Sequence, residues 1–147
     1  MTKDVLVRVS SFQTAEEETE HMEVINKGNY YKKNDFHYVM YEEMMEGMDQ
    51  PIKSMMKFKE GALTVTKKGP LNVNMVFEES QKNNCCYATP YGDMMLGIDT
   101  TAVELIEEED RILVNASYCL EANYQHLADC EIRMEICSKD RGMQFTS

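Results

Sequence analysis

The chain predicts an all-β fold: a single antiparallel up-and-down β-barrel, calycin- or lipocalin-like, of about 8–10 strands. Two observations carry that expectation. Short segments along almost the whole chain alternate apolar and polar residues, the period of a strand with one buried face. Ile112, Val114, Ala116, Tyr118 and Leu120 point one way, and Leu113, Asn115, Ser117, Cys119 and Glu121 the other. The connections between segments are also short, about two to eight residues, which suits neighbouring antiparallel strands and leaves no room for helical crossovers. A sheet of that size must curl shut or stack. Closure removes exposed edges, and a two-sheet sandwich is the competing layout.

Val5, Val7 and Val9 alternate with Leu6, Arg8 and Ser10 in a first strand that reaches Gln13. Glu16-Glu17-Glu18-Thr19-Glu20 is too charged to bury and predicts a loop or hairpin tip. A second strand starts at His21 and resumes after Gly28, where a bulge or sharp bend is expected. After the turn pair Asn34-Asp35, Phe36 to Glu43 is rich in aromatic and β-branched residues and reads as a strand. Gly47 and Pro51 interrupt the Met44, Met45, Met48 pattern, so that stretch is a connection. Further strands are predicted at 52–59, 62–67, 71–77, 84–89, 94–107, 111–123 and 128–138. Thr101 to Ile106 also has helical character, but Val103 and Leu105 alternate as in a strand. The chain reads as one domain over 1–147, with its core in 4–138 and a frayed tail at 139–147.

The net charge is −11, from 26 acidic and 15 basic residues, so a phosphate backbone would be repelled and nucleic acid is not an expected partner. No apolar run approaches the roughly 18 residues of a membrane-spanning helix, and no membrane partner is expected. The first residues lack a signal-peptide pattern, and five cysteines are an odd count. Together these predict reduced thiols and a cytoplasmic protein.

Tyr87-Ala88-Thr89-Pro90-Tyr91-Gly92 stands with Gly28-Asn29-Tyr30-Tyr31, Tyr41-Glu42-Glu43, Gly69 ahead of Met75-Val76-Phe77, and Ile98-Asp99-Thr100. In order and spacing this set resembles the YwiB-like family of small bacterial proteins, over about residues 4 to 138. The resemblance implies a calycin-like β-barrel and, because that family is a domain of unknown function, no activity. Lys67-Lys68 departs from the family pattern, in which an arginine is expected near the glycine; lysine offers a point charge in place of a bidentate fork.

A barrel of this kind either holds one small ligand or fills with side chains. The expected inward set is large and apolar: the three valines of the first strand, Phe36, Tyr38 and Met40, Met56 and Phe58, then Leu63 through Ile136. Tyr31, Tyr41, Tyr87, Tyr91 and Tyr118 are the candidate ligand-binding residues, because a tyrosine combines an apolar body with a polar tip. Their ordinary alternative is a strand tyrosine with a wet hydroxyl. None of Arg8, Arg111, Arg133 and Arg141 makes a buried anion clamp, which argues against a fatty-acid ligand and for a neutral or cationic one. His37 lies opposite Phe36, Tyr38 and Met40, and reads as a surface or barrel-mouth residue; His21 and His126 read as exposed. Cys85 and Cys86 alternate faces, and the spacings to Cys119, Cys130 and Cys137 match no zinc pattern, so neither metal nor cofactor is expected. No catalytic constellation stands out. The functional expectation is a barrel binding a small apolar or amphipathic molecule. The alternative is a non-catalytic interaction module with a filled barrel, and a homodimer is one form it could take. Exposed methionines among Met44, Met45, Met48 and Met55 would favour that alternative.

Overall fold

Alternating residues do form ten strands. They are β1 (Asp4–Ala15), β2 (Glu18–Lys33), β3 (Phe36–Glu43), β4 (Ile52–Lys59), β5 (Ala62–Lys68), β6 (Val73–Glu78), β7 (Gln81–Thr89), β8 (Gly92–Glu107), β9 (Arg111–Ala122) and β10 (Gln125–Ser138). The structure, a computed structural model, describes residues 3–44 and 46–139. Every pairing is antiparallel, in the order β6-β5-β4-β3-β2-β1-β10-β9-β8-β7. The sheet therefore runs up and down, with one long-range join where β1 meets β10. Its two edges, β6 and β7, come together through a bridge between Asn72 and Ala88, which nearly closes the barrel. Among the described residues no helix is long and apolar enough to cross a membrane.

Two-residue turns tie most hairpins. Glu16-Glu17, Asn34-Asp35 and Asn123-Tyr124 all carry positive φ at both positions, the mirror-image turn whose twist matches that of the strands. The expected acidic loop is thus confined to Glu16-Glu17, and Glu18 to Glu20 belong to β2. Gly28 is not a bulge. The β1–β2 register passes through it unbroken, with Gly28 opposite Val5 on one side and Tyr41 on the other. Its lack of a side chain serves close packing: a Cβ there would stand 2.8 Å from the Met40 carbonyl oxygen. The two bulges lie instead between Thr100 and Ala102 and between His126 and Ala128.

One face of each strand lines the interior, and all the expected inward positions are found there except those of β3. That strand buries His37, Val39 and Tyr41, and turns Phe36, Tyr38 and Met40 outward. The outer aromatics are covered locally. Lys57 lies 4.3 Å from the Phe36 ring centre, and Tyr38 stacks on Tyr31 at 4.7 Å. Hydrophobicity alone could not choose between these faces; the partners awaiting His37 inside do.

The interior has two unlike halves. At the end bearing the β2–β3, β4–β5, β6–β7 and β8–β9 turns, Phe58, Leu63, Phe77, Ile98, Val103, Ile112 and Ile136 leave no access to solvent. Each large side chain so buried contributes roughly 1.5–3 kcal/mol. The opposite half stays open, because β2 pairs with β3 only over Gly28–Lys33 and its first part pairs only with β1. From residue 140 onward the expected frayed tail lies outside the described residues.

Gly28→Ala should lower stability by about 1–3 kcal/mol, since the new methyl meets backbone that cannot rotate away. A urea midpoint that does not fall would contradict this packing role.

Candidate ligand cavity

In the open half the strands enclose a cavity of about 460 Å³. Val9, Met56, Val65, Met75, Leu120 and Ile132 supply its apolar wall. Of the five candidate tyrosines, Tyr41, Tyr87 and Tyr118 line it together. Strand parity explains the grouping: Tyr41 follows Val39 on the inner face of β3, Tyr118 follows Ala116 on β9, and Tyr87 follows Cys85 on β7. Tyr118 also packs edge-on to Phe77 at 4.8 Å, so the pair floors the cavity against the filled half. Tyr31 lies outside on the sheet face, stacked on Tyr38, and Tyr91 is 92% exposed in the β7–β8 turn.

The cavity is apolar but not inert. The Tyr41 hydroxyl and the Ser54 hydroxyl beside it are both buried, and neither completes a hydrogen bond of normal geometry. Burial, reinforced by the neighbouring Glu43 charge, holds the Tyr41 phenol well above the ordinary tyrosine range. It is therefore a neutral group with a proton to donate. A buried hydroxyl left unmatched costs about 1–3 kcal/mol, so this corner of the cavity favours a polar guest. Lys67 pairs with Glu43 at 3.4 Å on the same wall, both side chains about four-fifths buried. Among the described residues no arginine lines the cavity. Where the family pattern leads one to expect an arginine fork, the chain has a lysine already matched by a carboxylate.

A second hollow of about 490 Å³ lies on the outer face across β1, β2, β8, β9 and β10. Its charges are largely partnered across strands: Arg8 with Glu23 at 3.0 Å, Arg133 with Glu131, and Arg111 near Glu135. It lacks a buried hydroxyl like that of Tyr41 in the interior cavity, which makes the interior the better candidate.

His37, which the sequence places at the surface or the barrel mouth, is 3% exposed. Its Nδ1 meets the Tyr30 hydroxyl at 2.7 Å and its Nε2 meets the Glu107 carboxylate at 2.8 Å, while its ring stacks on Phe58. A neutral imidazole protonated on Nε2 satisfies both partners at once, accepting from Tyr30 and donating to Glu107. Desolvation lowers the His37 pKa from its usual 6.5; the Glu107 charge opposes that shift and the Lys32 charge adds to it. This cluster plugs the filled end. The signal that could have found it, one bonding partner on the neighbouring β2 and another on β8 across the barrel, exists only once the fold is known.

The family model described as "Domain of unknown function (DUF1934)" matches residues 7–134. A solved structure titled "Crystal structure of ywiB protein from Bacillus subtilis" is similar at a TM-score of 0.77 and 22% identity, over 90% of this chain and 91% of that one. At that identity the likeness shows the fold alone. No curated protein matches the chain.

Because the folded His37 prefers the neutral form, its contribution to stability is full above the ordinary histidine pKa and fades as pH falls below it. The NMR titration of its ring should have a midpoint below 6.5. The stability lost between pH 7 and 5, by urea melts, should shrink in His37→Gln, taking about pH 7 and 5 as the limits of the histidine window. A midpoint above 6.5 would refute the assignment.

Proposed function

We propose, for a chain that belongs to the DUF1934 family, that its barrel binds one small amphipathic molecule in the open half. The observation that carries this reading is the buried Tyr41 hydroxyl, without a hydrogen bond of normal geometry, in the wall of an otherwise apolar cavity. A guest would lay its apolar body against Met56, Met75, Leu120 and Ile132 and bring a hydrogen-bonding head to Tyr41. Methionine suits such a wall, since its unbranched chain adapts to irregular shapes. The size falls within the roughly 300–1,000 Å³ of ordinary small-molecule pockets. A neutral head fits best. An anionic head would meet Glu43 as well as Lys67, and breaking that ion pair would cost more than a neutral hydrogen bond does. Met22, Val24, Met94 and Leu127 all line the mouth and are exposed, giving the guest an apolar entrance.

The same exposed rim favours one second reading, a non-catalytic interaction module or homodimer that covers the mouth. Of the methionines that bear on it, Met44 is exposed and Met48 and Met55 are half-buried, while Met45 lies outside the described residues.

Titration with the neutral fluorophore N-phenylnaphthylamine should show one saturable site, and decanol should displace it better than decanoate. Leu120→Trp, which fills the cavity, should abolish binding. Tyr41→Phe should weaken decanol by about 2- to 10-fold, the worth of one neutral hydrogen bond, with little change for the fluorophore. Saturable binding that survives Leu120→Trp would place the guest elsewhere. No binding, with a dimer mass in native mass spectrometry, would favour the interaction reading.

A further inference from the structure

On the outer face of the β9–β10 hairpin, remote in chemistry from the apolar cavity, three different metal-ligating side chains converge. Asp129 of β10 stands directly opposite Cys119 of β9 in the register. The Cys119 Sγ lies 3.3 Å from Asp129 Oδ1, and His126 Nε2 lies 3.2 Å from that same oxygen. All three donor atoms fall within 4.8 Å of one another.

Local backbone geometry makes this cluster. By simple alternation His126 would share the inward face of Ala128. The bulge inserts Leu127 between them, so His126 is paired opposite Glu121 and emerges on the outer face with Asp129. The spacing Cys119, His126, Asp129 matches no sequence pattern for zinc, because strand pairing and one inserted residue assemble the set.

We propose that Cys119, His126 and Asp129 form a binding site for a borderline divalent transition ion of the Zn²⁺ class, with a fourth position open. In a tetrahedral site with bonds of about 2.0–2.3 Å, the donor atoms stand roughly 3.3–3.6 Å apart. The two distances to Asp129 Oδ1 are already close to that spacing, so only a small adjustment is needed to admit the ion. The donor set of one thiolate, one imidazole and one carboxylate selects against magnesium and calcium, which prefer oxygen alone.

Two further observations support a cation there. Asp99 faces Cys119 from β8, so the thiol is flanked across the sheet by two carboxylates. The arriving ion takes the sulfur lone pair and the thiol proton leaves to solvent. The cluster also borders a shallow hollow of about 310 Å³ whose other walls include Phe12, Thr14, Thr101 and Ser117. That hollow gives the fourth position room for water or a small donor ligand.

The test is a titration of the reduced, tag-free protein with Co²⁺ in a phosphine reductant, followed in the near-ultraviolet and visible. One equivalent should produce a thiolate-to-cobalt charge-transfer band with the intense visible bands of four-coordination, and Zn²⁺ should erase both. Cys119→Ser should remove the charge-transfer band, and His126→Ala should weaken binding at least about tenfold, as losing even an outer-shell partner can. Cys86→Ser, which removes the exposed thiol on β7, should leave the spectrum unchanged. Circular dichroism establishes that each variant is folded; should Cys119→Ser not fold, Asp129→Asn, which should also weaken binding, takes its place. The proposal is overturned if no charge-transfer band forms at submillimolar Co²⁺, or if the band survives Cys119→Ser, or if it disappears with Cys86→Ser.

Discussion

Closing the sheet is the constraint on which the rest of the molecule depends. A ten-stranded sheet left open would present two rows of unpaired backbone groups. Here those rows belong to β6 and β7, consecutive strands that diverge soon after the turn joining them. The seam is fastened at both ends. At the filled end Glu79 N–H donates to the Gly61 carbonyl, Ser80 N–H donates to the Thr100 carbonyl, and the Glu79 carboxylate accepts from Val103 N–H. At the open end Asn72 and Ala88 exchange both backbone bonds at 3.0 Å. Between these fastenings, side chains in place of a ladder complete the wall.

The manner of closure explains why the interior is half full. Phe58, Leu63 and Phe77 lie side by side across β4, β5 and β6 near the tight turns, and large residues from β8 to β10 complete that core. Farther along, β2 leaves β3 behind and the wall on that side stops. Side chains there cannot reach across, so Tyr41 and Tyr118 become a floor instead of a centre. An apolar space bounded by a wet mouth tolerates the Glu43–Lys67 pair at its edge, where solvent still reaches both charges. At the deep end His37 makes a bond at each ring nitrogen, to Tyr30 and to Glu107.

Ten strands and their antiparallel order were legible because period-two alternation and short turns are local signals. The inward faces of eight strands followed from the same rule, and for β2 no inward face was assigned. β3 misled because both of its faces are rich in apolar and aromatic residues: Phe36, Tyr38 and Met40 outweigh His37, Val39 and Tyr41 on any hydrophobicity scale. What reverses the choice is non-local, since Glu107 arrives from β8. Three of the five candidate tyrosines share the cavity for a simple reason: they occupy inner positions near one end of the barrel, as parity allowed. Tyr31 is one residue out of phase with Tyr30, and Tyr91 sits in a turn. The acidic run misled because a charged residue can be a strand residue where a strand has a solvent face.

Bulges mark the limit of reading by alternation, and both of them matter. The extra residue Thr101 lets Thr100 and Val103 both face inward, which carries β8 from the cavity wall into the packed end. The extra residue Leu127 does the reverse on β10: it lends an apolar side chain to the cavity mouth and sends His126 to the outside beside Asp129. One inserted residue thus serves two surfaces. The cavity rim needs an apolar group at that point, and the outer cluster needs an imidazole where strict alternation would have placed it indoors. Deleting Leu127 would restore a plain ladder and remove both arrangements at once. Substituting its side chain would disturb only the rim, because the backbone insertion alone sets the direction of His126.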